Sequence, residues 1–349
     1  MNQPVTSPAT RPPLRLSVLD QSIAVAGREH GQSIRETIDL ARHCEALGYH
    51  RFWVSEHHNH PSIVGTAPEV LMAAIATATT RIRVGSAGIM LPHYATLKVA
   101  EQFRVLDAIA PGRIDLGVGR APGSDGHTAM ALNPMAMQEG ADRFPQQVRD
   151  LIAWTSGAPL AEGHRFASIR ALPAGDTSPE VWILGSSNYG AQVAAHFGLP
   201  YCFAHFISDG QGAEPAIEIY KLSYTPSERH PAPVAALCVW ALAADTQAEA
   251  ERLFMSRARW RIARDRGQLL ALEPPEVAAA HAYSAAERLR LEHLRANTLV
   301  GTGAQVASGL RDLAQRLELA DLAVLTWAHD PAARRRSYEL LAGEFGMVG

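Results

Sequence analysis

Four short stretches of this 349-residue chain carry side chains that chemistry could use. Glu56-His57-His58-Asn59-His60 gathers one carboxylate and three imidazoles into five residues. Histidine titrates nearest neutrality, so it serves as acid or base, hydrogen-bond anchor or metal ligand. Metal binding needs convergent ligands, whereas neighbours along an extended chain point to opposite sides. No Cys or Asp lies close enough in the chain to complete such a site. An acid–base or hydrogen-bonding role for His57 ranks first, a structural histidine second and a metal site last. Glu56 and His58 read as partners that hold the imidazole.

The second stretch runs from Gly112 to Asp125. It reads as a turn at Pro111-Gly112, then a buried strand, then a loop led by Arg120 and broken by Pro122 and Gly123. A guanidinium just past a strand end suits an anion held by a bidentate fork; a plain surface arginine is the competing reading. Gly117-x-Gly119 lacks a third glycine, since Pro122 stands in its place, and no Gly-Lys-Ser/Thr follows, so neither phosphate fingerprint is met. The third stretch, Gly185-Ser186-Ser187-Asn188, joins a strand to a helix, whose free N–H groups and dipole favour a phosphate. Simple N-capping by Ser187 or Asn188 is equally open. No Gly-x-Ser-x-Gly elbow is present, which disfavours a hydrolase. Arg120 and Ser187 together would clamp one monophosphate. The fourth stretch, Ala87 to Pro92, also follows a strand.

The elements between these stretches place them at one end of a sheet. Strands are expected at Leu14–Leu19, Phe52–Val54, Ile82–Ala87, within Gly112–Asp125, at Val181–Leu184, Tyr201–Ala204, within Val234–Leu242 and at Leu322–Leu325, each followed by a helical segment. Ser33 with Glu36, and Thr246 or Asp245 with Glu249, read as capping boxes. Thr96 to Ile109 reads as a helix, Gly48 and Gly198 as helix stops, and the stretch from Ala121 to about Glu139 as a long loop fit for a lid. Eight alternations of strand and helix imply an α/β fold, a (β/α)8 barrel, with an open doubly wound sheet as runner-up. One domain is expected over 14–349, with a charged, Ala-rich insertion around 264–297 and a loose tail at 1–13 containing four prolines.

Apolar residues make up 47% and charged residues 19%, enough for a large core. A net charge of −3 gives no general basis for binding nucleic acid or an anionic membrane. Cys44, Cys202 and Cys238 are an odd, widely spaced trio that reads as reduced core thiols of a cytoplasmic protein. No signal peptide or membrane-spanning run is read.

Ser55 to Asn59, Gly88 to Pro92, the run from Pro111 to Asp125, and Leu184 to Tyr189 occur together in an order that resembles the bacterial-luciferase-like flavin monooxygenases, in particular their group 1 type of luciferase family oxidoreductase. The resemblance covers almost the whole chain from Leu14. It implies a (β/α)8 barrel with insertions, a homodimer, and reduced FMN delivered as co-substrate by a separate NAD(P)H-dependent flavin reductase. It further implies that O2 forms a flavin hydroperoxide, from which one oxygen atom passes to a small organic substrate. Position by position, His57 matches an active-site histidine beside the flavin ring. Ala87-Gly88 matches a dipeptide joined by a cis peptide bond beneath that ring. Gly119 stands where the luciferases carry a cysteine; Arg120 matches the phosphate arginine, with Ala121 beside it. Ser187 matches a phosphate serine, and Asn188, Tyr189 and Gly190 fall among neighbouring phosphate contacts. Arg143 lies within one residue of a second phosphate arginine. Ser186 replaces a glutamate of the luciferases, so light emission and a long-chain aldehyde are not implied. A deazaflavin-dependent hydride-transfer enzyme, a non-catalytic flavin-binding relative and a metal-dependent barrel hydrolase remain as alternatives.

Overall fold

Strand sequences such as Leu16-Ser17-Val18-Leu19 and Leu322-Ala323-Val324-Leu325 are buried throughout, which requires cover on both faces of the sheet. The computed structural model, which describes residues 13–121, 123–134 and 136–347, closes them into a barrel. In chain order the elements are β1 (Arg15–Asp20), α1 (His30–Ala46), β2 (Arg51–Val54), α2 (Pro68–Ala78), β3 (Arg83–Met90), α3 (Thr96–Ile109), β4 (Ile114–Gly119), α4 (Gly126–Leu132), α5 (Ala136–Ser156), β5 (Glu180–Gly185) and α6 (Asn188–His196). There follow β6 (Tyr201–Phe203), α7 (Ala213–Leu222), β7 (Ala235–Ala244), α8 (Gln247–Asp265), α9 (Pro275–Ala279), α10 (Ala285–Ala296), β8 (Leu299–Thr302), α11 (Gly303–Leu317), β9 (Asp321–Leu325) and α12 (Pro331–Glu344). All strand pairings are parallel. β6 pairs with β7, and β9 lies between β7 and β1, so eight strands form the closed ring expected of a (β/α)8 barrel.

Alternation along β7 separates two cores. Cys238, Trp240 and Leu242 join a cluster with Leu19, Trp53 and Trp182, whereas Leu237, Val239 and Ala241 pack in the cluster shared with the helices. Trp53 on β2 and Trp182 on β5 meet edge to face at 5.2 Å, which marks the first cluster as the barrel interior.

The floor of that interior is ionic. Arg51, at the start of β2, donates to Asp115 (3.0 Å), Asp321 (2.6 Å) and Glu180 (3.0 Å), near the starts of β4, β9 and β5. Arg83 adds a 2.5 Å bond to Asp115. Trp53 and Trp182 donate their indole N–H groups to Asp115 and Glu180, and Ser17 donates to Asp321. Burial alone would raise the Glu180 pKa, but the Arg51 and Arg83 guanidiniums hold it down at about 2.

Several local expectations are corrected. Ser33 does not cap α1: the helix starts at His30 after Glu29, Ser33 is buried within it, and Glu36 instead accepts from Arg28 and Gln32. The polar residues before Ser33 lie on the solvent side, where apolar periodicity cannot register them. Thr246 does cap α8, accepting from the Glu249 N–H, but the Glu249 carboxylate turns to Arg252. β3 extends past Ala87 to Met90 through a shift in its pairing with β4. The long loop is shorter than expected, because α4, capped by Asp125, and the start of α5 occupy it. β8 is an unforeseen ninth strand that pairs only with Ala241 to Ala244, where β7 outruns its partner β9.

Candidate active site

At the opposite end of the barrel from Arg51, a cavity of about 630 Å³ opens among the C-terminal ends of the strands. This is the end at which barrels of this kind carry their chemistry. Three of the four sequence stretches meet there directly, and the loop after β2 brings the fourth. His57, Ala87, Gly88, Gly119, Arg120, Ala121, Ser187, Tyr189 and Gly190 all line the cavity. Asn188, the first residue of α6, is exposed and outside the lining, as is Arg143 on α5.

β2 ends by turning the chain so that Glu56 goes inward and is almost wholly buried. Its carboxylate accepts from the Met90 N–H (3.0 Å) and the Tyr94 hydroxyl (2.5 Å) and lies 2.7 Å from His58 Nε2. Burial and the Glu56 charge push the Tyr94 hydroxyl pKa up, so it stays a proton donor. Glu56 and His58 thus brace one another and the end of β3. His57 faces the cavity. Its N–H bonds the Gly65 carbonyl, and Nδ1 lies 3.3 Å from the Ser55 hydroxyl. Burial, then the neighbouring His60, His58 and Arg264 charges, lower the His57 pKa to about 3, so the imidazole is neutral at physiological pH. Among the described residues no group of three His, Cys, Asp or Glu side chains is arranged to hold a metal.

The Ala87–Gly88 peptide bond is cis. A Cβ at Gly88 would come within 2.6 Å of Leu184 Cδ1 and 2.8 Å of the Gly117 carbonyl, so only glycine fits this floor. β4 and β5 are hydrogen-bonded neighbours, with Val118 beside Ile183, which carries Arg120 and Ser187 to the same rim. The Arg120 guanidinium sits 4.0 Å over the Tyr189 ring. Ser187 has the extended backbone of an N-cap, yet its side chain makes no capping bond to α6, which leaves hydroxyl and helix start together at the rim. Across the gap, Asn59 donates to Asp125, joining the loops that follow β2 and β4 (3.3 Å).

The wall opposite was not foreseen. Trp240 of β7, Trp327 just after β9, and Trp260, Arg257, Arg261 and Arg264 of α8 complete the lining. The available signal was the spacing of four and three that puts these arginines on one side of α8, where Arg257 and Arg261 are buried. Arg257 lies 4.3 Å over the Trp240 ring, and Trp260 meets Trp327 at 4.6 Å.

The profile of a family described as luciferase-like monooxygenase matches residues 15–318. The uncharacterised protein YwcH of Bacillus subtilis is 42% identical over 332 residues, 95% of this chain and 98% of its own. N-acetyl-S-alkylcysteine monooxygenase of the same organism is 34% identical over 333 residues, 94% of this chain and 97% of its own. The crystal structure of apo-MsnO8 matches with a TM-score of 0.88 at 35% identity, covering 96% of this chain and 99% of that one.

Proposed function

The chain belongs to the luciferase-like monooxygenase family, and we propose on that basis that it uses reduced FMN and O2 to insert one oxygen atom into a small organic substrate. The observation that carries the reading is the meeting of Arg120, Ser187, the Ala87–Gly88 floor and His57 around one cavity. The residues fit a flavin mononucleotide: one guanidinium and one uncapped serine at a helix start suit a single phosphate. The cavity volume lies within the range of small-molecule sites.

Bound reduced FMN supplies the electrons that activate O2. The chain contributes the rest. Arg120 and Ser187 hold the phosphate, with Tyr189, Gly190 and the backbone at Asn188 beside them. Ala87, Gly88, Gly119 and Ala121 give a flat, close-set surface for the ring. His57, kept neutral, bonds Ser55 through Nδ1 and so offers Nε2 to the cavity for holding or passing a proton. The tryptophans of the far wall exclude water from the reacting atoms. In this reading the protein is a homodimer in the cytoplasm served by a separate NAD(P)H-dependent flavin reductase. Three buried, unpaired cysteines support a reducing compartment.

Flavin titration of the purified protein, followed by oxygen uptake with reductase-supplied flavin and a pool of organic compounds, tests the proposal. FMN binding with a product one oxygen atom heavier is the expected result. Turnover only with a reduced deazaflavin would replace monooxygenation by hydride transfer. FMN binding without any product would mark a non-catalytic relative, and failure to bind either flavin would sink the reading.

A further inference from the structure

The far wall of the cavity mixes satisfied donors with unsatisfied ones: Trp260 donates to Ser62 and Arg261 to Ile207, whereas Arg257, Trp240 and Trp327 each keep a donor without an acceptor among the described residues. Arg257 is only 4% exposed, and it makes no hydrogen bond or ion pair among the described residues. Its Nη1, and the indole Nε1 atoms of Trp240 and Trp327, are buried without a partner among the described residues, and all three residues line the cavity. Guanidinium and indole groups donate only, so the missing partner is an acceptor. An unpaired donor in a buried site costs free energy that a bound group of the right kind recovers.

Charge points the same way. Arg261 of the wall and Arg290 share Asp209 (both 3.3 Å or less) and Asp265 (3.8 and 2.8 Å). Arg257 and Arg264 pair with no carboxylate among the described residues. Four arginines face two aspartates, an excess of two positive charges. Burial first, then Arg261, lowers the Arg257 pKa to about 9, which leaves it cationic at neutral pH. Around these donors the wall is aromatic, from Trp240, Trp260 and Trp327.

We propose that this wall is the substrate's anion subsite, and that the substrate is an organic acid whose carboxylate takes the Arg257 guanidinium while an apolar body lies against the tryptophans. The word substrate rests on the function proposed above; the anion site itself rests on Arg257 and its neighbours. Arg120, across the cavity, keeps the phosphate role, so the two anions are held at separate places.

The test is a titration of the full-length protein, with and without FMN, by 3-phenylpropanoate and by its neutral amide, read through tryptophan fluorescence. Wild type should bind the carboxylate at least about tenfold more tightly than the amide, the ratio expected of one charge-assisted contact. Arg257→Met should reduce that preference to about twofold or less, and Arg257→Lys should retain part of it. Arg257→Met should also bind FMN as wild type does. Equal affinity for acid and amide in wild type, no binding of either, or an undiminished preference in Arg257→Met would overturn the proposal. So would a tenfold loss of FMN affinity in Arg257→Met, which would give the guanidinium to the flavin. If Arg257→Met fails to fold, the wild-type ratio and the lysine variant decide. A wild type that prefers the carboxylate yet binds no FMN would remove the flavin reading and leave this site standing.

Discussion

Arg51 and Arg257 are both arginines buried inside one barrel, and they are treated oppositely. Arg51, at the N-terminal ends of the strands, meets three carboxylates, to which Arg83, Trp53, Trp182 and Ser17 donate as well. Arg257, at the C-terminal ends, meets an aromatic face and no carboxylate among the described residues. A charge neutralised from several sides holds strands in register. A charge buried without a carboxylate destabilises the unliganded fold, a cost that a bound anion would offset. The contrast separates the half of the barrel that maintains the fold from the half that works.

The largest expected effect breaks this contrast directly. Arg51→Met strands Asp115, Asp321 and Glu180 without their shared cation, and removing one partner of such a buried cluster costs about 3–5 kcal/mol. Arg257→Met removes a cation that has no partner to abandon, so its thermal midpoint should equal or exceed that of wild type. Thermal and urea unfolding of the two variants side by side measure the difference. Equal destabilisation would mean that Arg257 is as structural as Arg51.

The next effect sharpens the comparison at the mouth itself. Arg120 is exposed and stacks on Tyr189, so Arg120→Ala should leave stability within about 0.5 kcal/mol. FMN affinity should fall by about 1.5–3 kcal/mol, the range for a hydrogen bond to a charged group. Fluorescence titration of FMN reads this directly, and an unchanged Kd would remove Arg120 from the phosphate.

The same division governs what could be read in advance. The barrel was legible because apolar strands and amphipathic helices alternate in the chain, and local signals such as Gly48 (φ +86°) and Thr96 to Ile109 fall where the structure has them. The near wall was legible because its residues are consecutive in short strand-end motifs. The far wall was not: Trp240, Arg257 and Trp327 lie 17 and 70 residues apart, and only closure of β7 against β9 brings their elements together. The ionic floor escaped notice for the same reason, since Arg51 and Asp321 are 270 residues apart. β8 was hidden because Leu299-Val300-Gly301-Thr302 is too short to show a period.

Acidification should probe both ends of the barrel. His57 has a folded pKa of about 3 against an ordinary 6.5, so below pH 6.5 the unfolded chain takes up its proton and the folded chain does not. Stability is therefore present above about pH 6.5 and declines as pH falls toward 3, by at most about 1.4 kcal/mol per pH unit for this group. His50, lowered to about 3 chiefly by burial, adds a second such contribution outside the cavity. Urea unfolding from pH 7 to pH 4.5 should give a shallower slope in His57→Gln than in wild type. An identical slope would show that His57 takes its proton as readily folded as unfolded.

The smallest effect comes from two glycines of β4 that differ only in height along the barrel. A Cβ at Gly117 would clash with the Ser86 carbonyl oxygen and lie 2.8 Å from Leu184 Cδ1; the first is backbone and cannot step aside. At Gly119, two residues nearer the mouth, the nearest atom would be the Leu184 carbonyl oxygen at 3.9 Å, ordinary van der Waals contact. Overpacking of the first kind costs about 1–3 kcal/mol, whereas Gly119→Ala should change stability by no more than about 0.5 kcal/mol. The methyl group would instead protrude into the cavity, so its effect should appear in FMN affinity and not in the unfolding midpoint. Thermal unfolding of both alanine variants, with FMN titration of Gly119→Ala, distinguishes space kept open for a ligand from space the strands themselves fill.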